Sequence, residues 1–142
     1  SRRDGLVDLL GDGRRVSIGD YLSGDWPRVG VSITNPPFRL AEEFLRKGRL
    51  HADYVILLLR VNFIGSEART TLLRDDMPDV YVLPNRPSFR SPDAVGARAT
   101  WNTDSVEYGW FVWTPEVRRR HGKLTILAST PIEERHAEGA RP

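Results

Sequence analysis

A short strand-forming run, VSIT at residues 31–34, ends at the corner Asn35, Pro36, Pro37 and Phe38. Because proline fixes its φ angle and has no amide hydrogen, this corner is predicted to keep one shape and to leave nearby carbonyl oxygens without helix donors. The Asn35 amide oxygen and the Pro36 carbonyl oxygen could then accept hydrogen bonds from one NH2 group, while the Phe38 ring offers a flat face for stacking. These groups match the needs of an aromatic amine.

The amino group of a nucleobase is a weak nucleophile, because its lone pair is delocalised into the ring. Two acceptors on its hydrogens favour the pyramidal form, whose lone pair can attack the methyl group of a sulfonium, and this polarisation is strongest in the transition state. A base inside a duplex must first be extruded, and stacking on Phe38 could return about 1–3 kcal/mol of the lost stacking energy. The corner therefore predicts a pocket for an extruded base.

The elements around the corner follow an alternating pattern. VSIT (31–34) and YVILLL (54–59) are short and rich in β-branched residues or leucine, from which we predict strands buried on both faces of a sheet. Between them, residues 39–50 have apolar side chains at helical spacing, with acids early and bases late. This order predicts a βαβ unit. Ligands of open α/β sheets bind beyond the carboxyl ends of the strands, where Asn35 lies.

The rest of the chain extends this pattern. The other predicted elements are a strand at 14–22 that runs into a loop, a helix at 66–77, and strands at 79–83, 106–114 and 123–129. The last two strands are predicted to pair as a C-terminal antiparallel hairpin. We therefore expect one α/β domain over residues 1–130, with a mixed, mostly parallel sheet, and a flexible tail at 131–142.

Composition limits the possible function classes. The chain has 142 residues, of which 39% are hydrophobic and 28% charged, enough for one ordinary core. It has no cysteine and only three scattered histidines, so we expect no metal site. The longest apolar run, at 54–59, is far short of a membrane span, so we expect no membrane partner. The net charge is only +2, so attraction to a polyanion would depend on local arginine clusters.

Four runs of the sequence resemble the phage and prophage branch of the adenine-specific DNA methyltransferases: TNPPFRLAEEFLRKG, ADYVILLLRVNFIGS, VYVLPNRPSF and EYGWFVW. The amino-group methyltransferases carry an (Asn, Asp or Ser)-Pro-Pro-aromatic signature, and the resemblance covers about residues 14–128. It implies a Rossmann-like methyltransferase fold, S-adenosylmethionine as cofactor and DNA as partner. The implied reaction is methyl transfer to the exocyclic amino group of adenine, in the cytoplasm of a bacterium or a phage-infected host cell.

The resemblance also implies roles for individual residues. Asn35, Pro36 and Phe38 would hold the target base during catalysis. Asp20 matches the acidic position that contacts the adenine of S-adenosylmethionine, with a turn residue or helix cap as the alternative interpretation. The substrate-binding residues implied beside the pocket are Pro37, Arg60, Asn62 and Phe89.

Two of those residues have structural alternatives, and so has the function. Arg60 could pair with a surface carboxylate, and Phe89, in the RPSF loop, could be a core anchor. The sequence also lacks the family's aromatic-Gly-x-Gly turn and the ribose-binding acid that follows it. We therefore expect an N-terminally incomplete fold with an exposed sheet edge, completed by a homo-oligomer or a partner chain. The alternative functions are a non-catalytic nucleic-acid-binding remnant and a protein glutamine methyltransferase.

Overall fold

A computed structural model describes residues 18–84, 106–115 and 122–129 of the chain. In chain order its elements are β1 (Val29–Thr34), a 3₁₀ turn (Phe38–Leu40), α1 (Ala41–His51), β2 (Ala52–Arg60), two 3₁₀ turns (Val61–Gly65 and Glu67–Arg69), α2 (Thr70–Asp75), β3 (Asp79–Val82), β4 (Tyr108–Trp113) and β5 (Leu124–Ile126). The five strands form one mixed sheet. The predicted α/β class is thereby confirmed.

The βαβ unit predicted around the Asn-Pro-Pro-Phe corner is present. β1 and β2 are parallel, and α1 connects them after the corner. The helix packs closely on β2, because a Cβ atom added at Gly48 would lie only 2.9 Å from Cγ1 of Val55. A larger residue at position 48 would force the helix and the strand apart. The two strands thus have their carboxyl ends, Thr34 and Arg60, at the same edge of the sheet.

The order of the strands differs from the prediction for the C-terminal part. The order is β1-β2-β4-β3-β5, with β4 antiparallel to both β2 and β3, and β5 parallel to β3. The predicted hairpin between β4 and β5 is therefore wrong, and two of the four pairings between described strands are antiparallel. The physical reason lies in burial, since Phe111 and Trp113 of β4 are fully buried, whereas Leu124 and Ile126 of β5 are 56% and 70% exposed. The more apolar strand takes the central position.

One face of the sheet carries the core. Register places Val55 and Leu57 of β2 on the same face as Trp113 and Phe111 of β4, and all four side chains are completely buried. The helical and turn segments contribute Ala41, Leu45, Phe63 and Leu73 to this cluster. The Phe63 ring meets the Phe111 ring edge to face at a centroid distance of 5.6 Å. This packing fixes the Val61–Gly65 turn that follows β2.

β1 is an edge strand among the described strands, which corrects the prediction that it is buried on both faces. Val31 and Ile33 are 53% and 61% exposed, because no described helix covers their face of the strand. The run alternates apolar Val31 and Ile33 with the hydroxyl side chains of Ser32 and Thr34, a pattern that indicates a strand with two unlike faces and not one buried on both.

The segment 14–22 was predicted as a strand that runs into a loop at Gly19 and Asp20, and its described part, residues 18–22, does form a loop and a turn. The segment 1–17, Phe89 and the predicted tail at 131–142 lie outside the described residues.

Candidate functional site

The corner after β1 holds a fixed backbone. Pro36 is buried, whereas Asn35 and Pro37 are exposed. Pro37 has φ −56° and ψ 132° and precedes the 3₁₀ turn, in which the amide of Leu40 donates a 2.8 Å hydrogen bond to the Pro37 carbonyl oxygen. The two proline rings and this hydrogen bond together hold the segment between Thr34 and α1 in one conformation. The predicted rigid corner is therefore present.

The two residues that supply the predicted acceptors differ in exposure, because Asn35 is exposed and Pro36 is buried. In the described part of the chain, no hydrogen bond is made by the side chain of Asn35 or to the carbonyl oxygen of Pro36. The Asn35 side chain points into solvent and not into packed interior, since the residue is exposed. An incoming NH2 group would therefore find acceptors that make no competing hydrogen bond to described residues.

Phe38 is half-buried, and its ring already has a partner. The guanidinium carbon of Arg60 lies 4.3 Å from the ring centroid, and the Tyr108 ring lies 6.3 Å away at an angle of 44°. A base that stacks on the same face must displace the Arg60 side chain. A cation–π contact at a partly exposed site contributes about 0.5–1 kcal/mol, and base stacking about 1–3 kcal/mol. The exchange therefore favours the base.

A cavity of about 480 Å³ opens beside Phe38. The residues that line it come from the corner, the end of β2 and the turns that follow: Phe38, Arg39, Arg60, Asn62, Phe63, Gly65, Ser66 and Arg69. The structure thus brings together three predicted site residues, Phe38, Arg60 and Asn62. Asn35 is adjacent to this set in sequence but does not line the cavity. The two predicted acceptors of the corner are therefore next to the cavity in sequence but are not part of its wall.

The polar groups of the cavity wall are mostly donors. Arg69 lies over the Phe63 ring at 4.4 Å, and its Nε donates a 3.0 Å hydrogen bond to Glu42. Arg39 is exposed and makes no ion pair with a described residue. No carboxylate belongs to the described wall, so the wall carries three guanidinium groups and two phenyl rings. Such a surface attracts an anion that carries an aromatic ring.

Sequence reasoning missed five of the lining residues, of which Arg39 and Arg69 carry charge. Arg39 directly follows the Asn-Pro-Pro-Phe corner, and this position was enough to indicate it as a candidate site residue. Arg69 was not predictable in the same way, because the two 3₁₀ turns after β2 redirect the chain and bring it back toward Phe63. Those turns depend on the tertiary packing of Phe63 against the sheet and not on local pattern.

Asp20 occupies a turn. Its carboxylate accepts hydrogen bonds from the Leu22 amide at 3.1 Å and the Ser23 hydroxyl at 3.0 Å, and its carbonyl oxygen accepts one from the Gly24 amide at 3.0 Å. The alternative interpretation of Asp20 as a turn residue therefore describes its geometry. Its contact with the adenine of S-adenosylmethionine stays a prediction.

The loop after Asp20 is anchored to α1 by an aromatic cluster that sequence analysis did not identify. The Tyr21 ring stacks on Phe44 at 4.9 Å, and its hydroxyl lies 2.8 Å from Nε2 of His51. The indole nitrogen of Trp26 donates a 2.7 Å hydrogen bond to the Tyr21 carbonyl oxygen. No described contact joins this loop to Asn35, so the structure does not bring Asp20 into the base-binding corner.

No family model, curated protein or solved structure matches this chain. Within the described residues, no group of histidine, aspartate and glutamate side chains is arranged to hold a metal ion. The helices of that same part are all too short or too polar to cross a membrane.

Proposed function

We propose that this chain binds an extruded adenine of DNA and acts on its amino group, as an S-adenosylmethionine-dependent methyltransferase. One observation carries the proposal: the exposed Asn35 amide and the Pro36 carbonyl make no hydrogen bond to a described residue, and both belong to a rigid corner at the carboxyl end of β1, next to Phe38. A merely structural strand terminator would need no exposed amide at this position. The cavity beside Phe38 adds room and positive charge for the rest of a nucleotide.

The chain's own residues would contribute binding and polarisation. The base stacks on Phe38 in place of the Arg60 guanidinium, and its NH2 group donates one hydrogen bond to Asn35 Oδ1 and one to the Pro36 carbonyl oxygen. These acceptors favour the pyramidal nitrogen, whose lone pair is available to a methyl carbon. As the new nitrogen–carbon bond formed, the carbon–sulfur bond of a bound sulfonium would break and its electron pair would leave on sulfur, as a neutral thioether. The nitrogen then releases one proton, which passes to water because the corner is open to solvent. No strong base is required.

S-adenosylmethionine supplies the methyl group as an electrophilic sulfonium when it is bound. Within the described residues, only Asp20 matches a contact that the resemblance implies for this cofactor, and both of its carboxylate oxygens already accept hydrogen bonds from its own turn. No Gly-x-Gly turn follows any described strand. Among the described residues, several could contact the methyl acceptor, but only Asp20 matches a contact with the methyl donor. We therefore assign the donor no further contact.

A second candidate is DNA binding without catalysis. Two observations favour it: the arginine-lined cavity serves binding alone, and the described residues supply few cofactor contacts. Methylation of a protein glutamine would use the same corner, but three guanidinium groups beside it suit the phosphates of a nucleic acid better than a neutral amide.

Methyl transfer to DNA tests the proposal directly. The full chain is incubated with unmethylated DNA and S-adenosylmethionine carrying a tritiated methyl group, and tritium is measured in the adenine fraction after digestion. We expect transfer by the wild type and by the control Glu43→Ala, whose side chain is exposed on α1. Asn35→Ala should lose about 100-fold or more in rate, as expected for removal of a polarising partner.

Two results would contradict the proposal. An Asn35→Ala variant that matches Glu43→Ala in rate would exclude the corner as the site that polarises the amine. Absence of tritium in adenine, with DNA binding intact, would replace the enzyme with the second candidate.

A further inference from the structure

We propose that the cavity beside Phe38 binds a phosphodiester group of the DNA strand that carries the target base, with Arg39 and Arg60 as its charged ligands and Asn62 as a neutral donor. We call this set the phosphate subsite. The inference rests on the proposed function, because it assigns the other half of the same site. It explains why Asn35 lies outside the cavity while Phe38 borders it.

The chemistry of the wall selects for an anion. Arginine side chains have no acceptor, and the Asn62 amide and the Ser66 hydroxyl can each donate a hydrogen bond. A phosphodiester offers two charged oxygens that match the fork of a guanidinium. A carboxylate on the wall would repel such a ligand, and none belongs to the described lining. The volume of about 480 Å³ leaves space for a sugar beside the phosphate.

The three arginines of the cavity are not equivalent. Arg69 is already bound to Glu42 at 3.0 Å and is only 26% exposed, so its charge is largely balanced. Arg39 is exposed, and no described carboxylate pairs with it. Arg60 lies on the Phe38 ring, which holds it at the boundary between the cavity and the base-binding corner. Arg39 is therefore the position from which positive charge can reach a new ligand directly, and Arg60 is the arginine that contacts both the cavity and the ring.

The position of Arg60 connects the two halves of the site. The Arg60 guanidinium covers the Phe38 ring and also lines the cavity, so a base on the ring and a phosphate in the cavity would both meet this side chain. Charge-assisted hydrogen bonds to a phosphate are stronger than the cation–π contact they replace. One nucleotide can thus place its base against Phe38 and Asn35 and its phosphate among Arg39, Arg60 and Asn62.

Salt dependence of DNA binding tests the phosphate subsite. The dissociation constant of a fluorescent single-stranded oligonucleotide with one adenine is measured by anisotropy over a range of salt concentrations, without S-adenosylmethionine. Each lost phosphate contact should lower the slope of log K against log salt by about 0.7. We expect this decrease for Arg39→Gln and for Arg60→Gln. Arg74→Gln is the matched control, because Arg74 is exposed on α2 and does not line the cavity.

A chemical probe makes the test independent of folding. The same oligonucleotide is prepared with uncharged methylphosphonate linkages on both sides of the adenine. For the wild type, the slope of log K against log salt should be smaller with this oligonucleotide than with the unmodified one. For Arg39→Gln, the methylphosphonate linkages should lower the slope by less, because the substitution and the linkages remove the same contact. Adenosine monophosphate is added as a competitor, to distinguish binding of a phosphate within a DNA strand from binding of a free nucleotide.

The results of these experiments distinguish failure of the phosphate subsite from failure of the proposed reaction. Unchanged slopes for Arg39→Gln and Arg60→Gln, or losses no larger than that of Arg74→Gln, overturn the subsite, as does binding of adenosine monophosphate without binding of the oligonucleotide. The assay contains no methyl donor. Reduced slopes without any methyl transfer therefore overturn the proposed reaction alone, and methyl transfer with unchanged slopes overturns the phosphate subsite alone.

Discussion

Arginine side chains have different surroundings at the two ends of the sheet. At the amino end of β2, the Arg49 guanidinium donates to Asp76 through Nη2 at 2.8 Å and through Nε at 3.1 Å, and to the Thr114 carbonyl oxygen through Nη1 at 2.6 Å. At the carboxyl end, Arg60 lies on a phenyl ring, and Arg39 is exposed and makes no ion pair with a described residue. The first arginine lines a cavity whose wall includes carboxylates, and the other two line a cavity whose described wall has none.

This difference separates a structural role from a binding role. Arg49 connects three segments, α1, the end of α2 and the end of β4. It borders a cavity of about 300 Å³, but the wall of that cavity also carries the carboxylates of Asp53 and Asp76. The cavity at the opposite end collects donors without supplying the carboxylates that would neutralise them. Arrangements of the second kind contribute little to folding, and an anion that supplies the missing acceptors would be stabilised there.

The largest effect on stability is expected at the amino end. Arg49→Ala removes hydrogen bonds to Asp76 and Thr114 and leaves a carboxylate that is 21% exposed without this partner, so the free energy of unfolding should fall by about 2–3 kcal/mol. Urea denaturation followed by circular dichroism measures this change. Arg28→Ala is the control at the same end, because the Arg28–Asp53 pair is far more exposed and should contribute less than about 1 kcal/mol. Equal decreases in the free energy of unfolding for Arg49→Ala and Arg28→Ala would contradict a special structural role for Arg49.

A second prediction concerns the close contact between α1 and β2, the elements that lie between the two ends. Gly48→Ala places a Cβ atom 2.9 Å and 3.0 Å from the two Cγ atoms of Val55, so α1 must move away from β2 at a cost of about 1–2 kcal/mol. Gly65→Ala is the control, since no atom lies within 4 Å of its added Cβ. Thermal unfolding compares the two variants. A Gly48→Ala protein as stable as Gly65→Ala would mean that the helix does not depend on this close contact.

A third prediction concerns the ring at the carboxyl end. Phe38→Leu keeps an apolar side chain but loses the aromatic face, so the affinity for a single-stranded oligonucleotide should fall about tenfold, within the range for one stacked base. Phe38→Tyr should keep most of the affinity. Stability should change little in either variant, because Phe38 is half-buried and outside the main core cluster. Equal affinity of the leucine and tyrosine variants would exclude stacking on this ring.

The sequence was sufficient for the local part of the fold. The β1–α1–β2 unit follows from two short apolar runs separated by a segment with helical spacing, and both the strands and the helix lie close to the predicted positions. The insertion of β4 between β2 and β3 was not predictable in this way. Pairing of strands that are distant in the chain depends on which side chains fill the core, and periodicity is the same for a hairpin partner and for a distant one.

The site was predictable to a similar extent. Asn35 and Phe38 could be identified because proline geometry makes their corner rigid whatever packs around it. Arg60 and Asn62 were implied by the resemblance to the DNA methyltransferases and not by a local pattern of residues. The contact of Arg60 with Phe38 and the approach of Arg69 to Phe63 could not be derived, because side chains from separate segments meet there only after the turns beyond β2 have packed on the sheet.

The smallest effect sharpens the contrast between the two ends. Glu42→Gln removes the carboxylate that binds Arg69 and would make the carboxyl end still poorer in negative charge. The pair is partly exposed, at 26% and 33%, so stability should change by less than about 1 kcal/mol. The freed Arg69 faces the same cavity as Arg39, so oligonucleotide affinity should rise about twofold to threefold at low salt and the gain should disappear at high salt. Glu43→Gln, the exposed neighbour, removes an equal charge away from the cavity, and an identical gain in that variant would assign the effect to net charge and not to the cavity.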